Sequence, residues 1–203
     1  MKAKPQAILF DMDGVLIESL DSWWLSLNDA LKAYDHKEIS RDEFIEKYWG
    51  HDLSYNLEKM GIDYKVLKFC NNAYADHLDS VEIYSDTKST LEKLKDYKKG
   101  IITNTPKDCA KQVLTKHNLV KYFNIIVTVD EVIRGKPSPE IVFKACKSLN
   151  VNPKDVILVG DTTSDIEAGK AAGCTVVGLN IKADYKISKL SDLTKIIEKL
   201  NNI

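Results

Sequence analysis

The stretch "LFDMDGVLIES", residues 9–19, places two carboxylates one residue apart at the end of an apolar run. Residues i and i+2 of an extended chain point to the same side, so Asp11 and Asp13 can face one site. Gly14 then gives the backbone the freedom to turn away. Two such charges about 4 Å apart repel by about 4 kcal/mol even at an effective dielectric near 20. The stretch therefore predicts a strand end that holds two carboxylates close together, so a neighbouring group must offset their repulsion if both face one site.

Strands and helices alternate through most of the chain. Apolar, β-branched runs separated by amphipathic helices predict a parallel sheet covered on both faces, which is an α/β, three-layer, Rossmann-like core. Ligands of such sheets bind beyond the carboxyl ends of the strands, so the polar residues there are expected to converge. The runs are "AILF" before Asp11, "GIIT" before Asn104, "IIVTV" before Asp130, "VILVG" before Asp161 and "CTVVGL" before Asn180.

The stretch from about Leu16 to Tyr84 has a different character. It lacks proline, contains all three tryptophans and shows no β-like run. Apolar residues recur at helical spacing in "SLDSWWLSLNDALKAY", and Ser40 with Glu43 is expected to form a capping box for "RDEFIEKYW". The sequence therefore predicts an α/β core made of residues 1–15 and 85–203, with a small helical cap inserted as residues 16–84.

Composition narrows the classes of function. The formal net charge is −1 and no basic stretch occurs, which argues against nucleic acid as a partner. No apolar run approaches the roughly 20 residues that span a bilayer, and the first residues lack a signal-peptide pattern, so a cytoplasmic protein without membrane contact is expected. The four cysteines are too far apart for a zinc site and are expected to be inert thiols.

A hard divalent cation would relieve the repulsion among the acids. Mg²⁺ suits a site of one or two carboxylates and a substrate phosphate, and Lys136 in "RGKPSPE" brings a positive charge from another loop. These residue types are suited to holding a dianionic phosphate against a carboxylate nucleophile.

Four segments in order, "DMDGV", "ITNT", "GKPSPE" and "GDTTSD", resemble the four motifs of the haloacid dehalogenase superfamily. The helical insert resembles the cap of the phosphoglycolate phosphatase and β-phosphoglucomutase type. The resemblance covers the whole chain. It implies a Mg²⁺-dependent phosphatase, similar to phosphoglycolate phosphatase, that hydrolyses a small phosphorylated metabolite through an aspartyl-phosphate.

The resemblance also assigns roles to residues. Asp11 is implied to be the nucleophile, and Asp13 the general acid and base. Mg²⁺ would be held by the Asp11 carboxylate, the Asp13 backbone carbonyl and the Asp161 carboxylate. Asp165 would hold a water of the outer coordination shell, with direct ligation left open. Thr103 and the Asn104 amide would bind phosphoryl oxygens, with Lys136 neutralising charge there and on the nucleophile.

Each motif alone also has a purely structural explanation. Asp-Gly is a common turn, Thr103–Asn104 could cap a helix, and an isolated lysine is most often solvated. The acids of "GDTTSD" could merely favour the dipole of a helix. Arg134 is expected to form a local ion pair outside the site.

Aromatic residues of the insert are expected in its core, since aromatic side chains dominate burial. These are Trp23, Trp24, Tyr48 and Trp49. The segment "KYWGHD" is the exception, because cap loops in the family that it resembles face the catalytic edge. Trp49 and His51 are therefore candidate specificity residues.

Three alternatives stay open beside the phosphatase. A phosphosugar mutase is disfavoured because Trp23 stands where the β-phosphoglucomutases carry a histidine. Dehalogenation needs neither Mg²⁺ nor a leaving-group acid, and a catalytically silent phosphometabolite-binding module would not need every catalytic residue. "YSDTK" at Ser85 and Asp86 replaces the Pro-Gly of many relatives. Phosphoglycolate, sugar phosphates, nucleotides and pyrophosphate all remain candidate substrates, and the oligomeric state is open.

Overall fold

The computed structural model describes residues 5–201. The expectation that the chain begins without a signal peptide rests partly on residues 1–4, which lie outside the described residues. Among the helices of residues 5–201, none has the length and apolar character needed to cross a bilayer. The cytoplasmic location stays a prediction.

A parallel sheet with the strand order β5-β4-β1-β6-β7-β8 forms the centre of the fold. Strand β1 is internal, because Phe10 is in register with Ile101 on one side and with Val159 on the other. The five apolar runs of the sequence are all strands, as predicted, whereas the short edge strand β8 was not foreseen. The strands are β1 (Ala7–Phe10), β4 (Lys98–Thr103), β5 (Ile125–Thr128), β6 (Val156–Gly160), β7 (Thr175–Leu179) and β8 (Tyr185–Ile187).

Helices cover both faces of this sheet and confirm the three-layer α/β class. Alternate residues of β1 serve opposite layers: Ile8 and Phe10 pack with α5, α6 and α9, and Leu9 packs with α7 and α8. The helices are α5 (Thr87–Lys93), α6 (Lys107–Lys116), α7 (Glu140–Leu149), α8 (Thr163–Ala172) and α9 (Leu193–Asn201). Helix α8 is followed by Gly173, whose φ of 86° is the left-handed conformation that commonly caps a helix.

The insert is helical, as predicted, and has its own core around Leu27, Phe44 and Leu57. It contains α1 (Leu20–Ala33), α2 (Arg41–Lys47), α3 (Leu53–Met60), α4 (Lys65–Ala73) and a 3₁₀ segment (Tyr74–Ser80).

The expectation of no β structure in this stretch was wrong. Strand β2 (Ile17–Glu18) pairs antiparallel with β3 (Glu82–Ile83) where the insert leaves and rejoins the core. Strands this short carry no readable alternation. The predicted domain boundaries at residues 16 and 84 lie beside this pair and stay a prediction.

The predicted capping box of α2 was half right. The Ser40 hydroxyl accepts a hydrogen bond from the Glu43 N–H at 3.2 Å. The Glu43 carboxylate instead binds Lys47, one helical turn onward, at 3.0 Å. A local ion pair therefore replaces the reciprocal bond to the backbone.

Candidate active site

Lys136 is buried between two carboxylates at the carboxyl edge of the sheet. Its Nζ lies 2.7 Å from Asp11 Oδ1 and 2.6 Å from Asp165 Oδ1, and it donates to the Ile102 carbonyl at 3.4 Å. Burial by itself lowers the pKa of the Lys136 amine, but Asp11 and Asp165 outweigh it and the pKa is raised. The lysine is therefore a fixed positive charge rather than a solvated side chain.

Asp11 continues β1, and its N–H donates to the Val159 carbonyl at 2.9 Å. Its Oδ1 accepts from the Met12 N–H at 2.7 Å as well as from Lys136. Burial raises the pKa of the Asp11 carboxyl well above its usual value, and Asp165 adds to this, against Lys136. The Asp11 anion therefore needs more positive charge than Lys136 alone supplies.

Asp161 supplies the observation that points to a metal. One oxygen from each of Asp11, Asp161 and Asp165 lies within 4.8 Å of the others. Asp161 Oδ1 is buried and has no hydrogen-bond partner in the described part of the chain. Burial first, and Asp165 second, raises the pKa of Asp161 to about 7. Three carboxylates with one lysine and an orphaned oxygen fit a hard divalent cation.

Gly14 allows the backbone of the first motif to lie against the Asp161 side chain. Its φ is 77°, and a Cβ on Gly14 would lie 2.1 Å from Asp161 Oδ2. The peptide that follows Asp13 thus runs directly against the acidic cluster, which only glycine permits. This placement agrees with the ligand role expected for the Asp13 carbonyl, which stays a prediction.

The Asp13 carboxylate is held by hydroxyl groups, apart from the three clustered acids. Its Oδ2 accepts from Thr105 Oγ1 at 2.6 Å and from Thr103 Oγ1 at 3.3 Å, and its Oδ1 accepts from the Ser19 hydroxyl. Sequence reasoning missed Ser19 and Thr105. Thr105 could have been found, since it stands two residues after Thr103 in "ITNT" and an extended chain puts both on one side.

The second motif holds the lysine loop in place. Asn104 Oδ1 accepts from the Lys136 N–H at 2.8 Å, and Asn104 Nδ2 donates to the Lys136 carbonyl at 2.9 Å. This positioning role was not foreseen. The Thr103 hydroxyl also accepts from the Thr105 N–H at 3.0 Å. The phosphate-binding roles of Thr103 and Asn104 stay predictions.

Asp165 is fully buried and closes the first turn of α8. Its Oδ2 accepts from the Thr162 N–H at 3.1 Å and from Thr162 Oγ1 at 2.7 Å, in a capping box. Both its oxygens therefore already have partners, Thr162 and Lys136. Asp165 therefore contacts the lysine and caps α8 at the same time, so the capping explanation of "GDTTSD" holds. Its role toward a metal stays a prediction.

A cavity of about 60 Å³ lies between the cap and this edge of the sheet. Asp11, Asp13 and Lys136 form part of its floor. Its roof comes from the insert. The prediction that the aromatic residues belong to the core of the insert holds for Trp24, whose Nε1 donates to the Ile39 carbonyl at 2.9 Å. That prediction is incomplete for Trp23, Tyr48 and Trp49, which pack in the insert but also line the cavity. The apolar roof consists of Trp23, Leu27, Phe44, Tyr48, Trp49 and Leu53.

The cap loop at residues 49–51 contacts the core directly. A Cβ on Gly50, whose φ is 84°, would lie 2.7 Å from Thr162 Cγ2, and the Gly50 carbonyl accepts from Asn104 Nδ2 at 3.5 Å. The Trp49 side chain also interacts with the Asp161 carboxylate. Trp49 and His51, the candidate specificity residues, both line the cavity.

Residues 8–179 match the family model described as haloacid dehalogenase-like hydrolase. The chain belongs to this family. A phosphoglycolate phosphatase of Aquifex aeolicus is 33% identical over 95% of this chain and 97% of its own length. Pyrophosphatase PpaX of Bacillus mycoides is 28% identical over 98% of this chain and 99% of its own.

A solved structure confirms the family fold. The β-phosphoglucomutase of Clostridium difficile superposes with a TM-score of 0.85 at 24% identity, covering 98% of each chain. This haloacid dehalogenase-like hydrolase therefore shares the core and the helical insert of its relatives along almost its whole length.

Two predictions about residues outside the site are also met. Arg134 forms a local ion pair with Glu140 at 2.9 Å. All four cysteines, Cys70, Cys109, Cys146 and Cys174, are free and buried, as expected of structural thiols.

Proposed function

We propose that the chain is a Mg²⁺-dependent phosphatase that hydrolyses a small phosphomonoester through an aspartyl-phosphate on Asp11. The observation that carries this proposal is the buried contact of Lys136 with Asp11 and Asp165 beside the unpartnered oxygen of Asp161. Family membership and the named phosphatases among the relatives support it.

In the first step, an Asp11 oxygen attacks phosphorus while the bond from phosphorus to the leaving oxygen breaks. The Met12 N–H and Lys136 both hold Asp11 Oδ1 and so orient the carboxylate for the attack. Asp13 gives its proton to the leaving alcohol. A Mg²⁺ ion held by Asp11 and Asp161 would shield the phosphoryl oxygens from these carboxylates.

In the second step, Asp13 takes a proton from water, and the resulting hydroxide attacks the phosphorus of the aspartyl-phosphate. The bond between phosphorus and the Asp11 oxygen breaks, which frees inorganic phosphate and restores the carboxylate. The hydroxyls of Ser19 and Thr105 orient the Asp13 carboxylate for both proton transfers. Lys136 stays protonated and in contact with Asp11 through both steps.

No observation favours the alternatives. A mutase must keep its phosphoenzyme through a substrate turnover, and here the Trp23 ring, stacked on Tyr74 at 4.2 Å, replaces the expected histidine. The likeness to a β-phosphoglucomutase, at 24% identity, concerns the fold alone. A silent binding module would not need the Asp13 network, and dehalogenation would not need the acidic cluster.

The experiment is an assay of p-nitrophenyl phosphate with Mg²⁺, with EDTA, and with Asp11→Asn. Hydrolysis is expected for the unaltered protein with Mg²⁺, but not in EDTA and not for Asp11→Asn. Asp155→Asn is the matched control, because Asp155 is also a buried aspartate but lies outside the acidic cluster. Equal rates in all samples would reject the mechanism.

A further inference from the structure

The roof of the catalytic cavity lacks a free positive charge. Among the described residues that line the cavity, Lys136 is the only lysine or arginine, and its amine already contacts Asp11 and Asp165. His51 is the one other basic side chain there, and burial together with Lys59 lowers its pKa from 6.5, so it is neutral at pH 7. Apart from Asn56, the side chains that the insert adds to the roof are aromatic or aliphatic.

Asn56 lines this roof and carries an unused hydrogen-bond acceptor. The residue is 3% exposed, and its Nδ2 donates to the Tyr48 carbonyl at 3.0 Å. Its Oδ1 is buried and has no partner in residues 5–201. A buried acceptor without a donor costs free energy, which a ligand hydroxyl would recover.

We propose that the leaving group of the preferred substrate is a small uncharged alcohol whose hydroxyl donates to Asn56 Oδ1. This inference rests on the proposed function and narrows its substrate. The enclosed volume of about 60 Å³ favours a short leaving alcohol over a long one. A carboxylate or a second phosphate would be buried unpaired against aromatic rings and beside an acceptor, which is costly.

Three phosphates of nearly equal size test the proposal. 2-Hydroxyethyl phosphate carries a hydroxyl, n-propyl phosphate carries a methyl group in its place, and phosphoglycolate carries a carboxylate. We expect kcat/KM for 2-hydroxyethyl phosphate to exceed that for each of the other two at least tenfold. A kcat/KM for phosphoglycolate or for n-propyl phosphate that equals or exceeds it overturns the proposal.

Asn56→Leu removes the acceptor at nearly constant size. The ratio of kcat/KM between 2-hydroxyethyl phosphate and n-propyl phosphate should fall close to one. The matched control is Asn71→Leu, because Asn71 also has a buried, unpartnered Oδ1 but lies on α4 outside the cavity. An unchanged ratio in Asn56→Leu contradicts the proposal.

Leu53→Lys provides a second test that does not depend on Asn56. Leu53 is only partly buried, so the variant is expected to fold. A cation in the roof should raise the preference for phosphoglycolate over 2-hydroxyethyl phosphate about tenfold, and no change counts against the proposal.

The substrate inference and the proposed function can fail separately. If p-nitrophenyl phosphate is hydrolysed in a manner that depends on Mg²⁺ and Asp11, but phosphoglycolate is preferred, only the substrate inference fails. If p-nitrophenyl phosphate and all three alkyl phosphates are inert, the proposed function fails.

Discussion

Lys136 Nζ lies 2.7 Å from Asp11 Oδ1 at the buried edge of the sheet. The two residues come from the first and third motifs of the sequence, and Asn104 of the second motif hydrogen-bonds the backbone of Lys136 on both sides. Asn104 therefore positions Lys136, and Lys136 in turn contacts the Asp11 carboxylate. Its charge makes the buried Asp11 carboxylate tolerable, and its loss should be costly.

Lys136→Met should lower the free energy of unfolding by about 3 kcal/mol at pH 8, because a buried charge loses its partner. The loss should be smaller at pH 5. Without the lysine, the pKa of Asp11 in the folded protein rises further above that in the unfolded chain, so the variant loses additional stability as pH rises above about 4. Urea unfolding in EDTA at both pH values measures this.

Lys99→Met is the control for that prediction. Lys99 is also buried, at 4% exposure, but within residues 5–201 its Nζ forms hydrogen bonds only with the carbonyls of Leu94 and Tyr97, at 2.7 and 3.2 Å, and no ion pair. Carbonyls do not titrate, so its loss of stability should be equal at the two pH values. A loss at Lys136 that is also independent of pH would contradict the charge argument.

Asp161 should make the metal-free protein less stable as pH rises. Its pKa in the folded protein is about 7 against 3.8 ordinarily, so the folded state binds the extra proton between these values. Stability from this group is present below pH 4 and is lost as pH rises to about 7. Asp161→Asn should flatten the pH profile of urea unfolding in EDTA. An equally steep profile in the variant would exclude Asp161 as the cause.

Gly14→Ala should abolish most activity and weaken the response to Mg²⁺. The new Cβ would need the space of Asp161 Oδ2, 2.1 Å away, and the φ of 77° adds strain. Gly61→Ala is the matched control, since its φ is 69° but nothing lies within 4 Å. The measurement is kcat with a Mg²⁺ titration, and similar losses in the two variants would show that backbone strain alone matters.

Asn104→Ala should lower kcat by about 10- to 100-fold with little change in stability, because the Lys136 loop loses both of its side-chain hydrogen bonds. Asn124→Ala is the control. Asn124 also accepts from a backbone N–H, that of Lys99 at 2.8 Å, but at the opposite end of the strands. Steady-state kinetics and thermal melting of both variants test this prediction. Equal kcat values for the two variants would show that Asn104 does not contribute to catalysis.

The sequence predicts the parts of the fold that have a pattern. Apolar runs identify the strands, and helical spacing identifies the insert around Leu27 and Leu31. The convergence of Asp11, Lys136 and Asp161 follows from the rule that ligands bind beyond strand ends. Strands β2 and β3 were missed because two residues show no alternation.

The hydrogen bonds that side chains form with residues distant in sequence were not predicted either. Thr105 contacts Asp13 across 92 positions, for which only its alternation with Thr103 gave a signal, and Asn104 contacts Lys136 across 32 positions, for which the sequence gave none. Burial of Trp23 and Tyr48 was foreseen, but their share in a cavity depends on how the insert packs on the sheet. That packing is a tertiary property that residue periodicity does not report.

One trapping experiment addresses the nucleophile directly. Asp13→Asn is mixed with p-nitrophenyl phosphate and Mg²⁺, since this leaving group needs no proton from Asp13 but the phosphoenzyme needs a base for hydrolysis. Borohydride then reduces any acyl phosphate to an alcohol, and peptide mass spectrometry locates it. We expect a burst of about one nitrophenol per chain and conversion of Asp11 to homoserine. Recovery of unmodified Asp11 while nitrophenol is still released would contradict it.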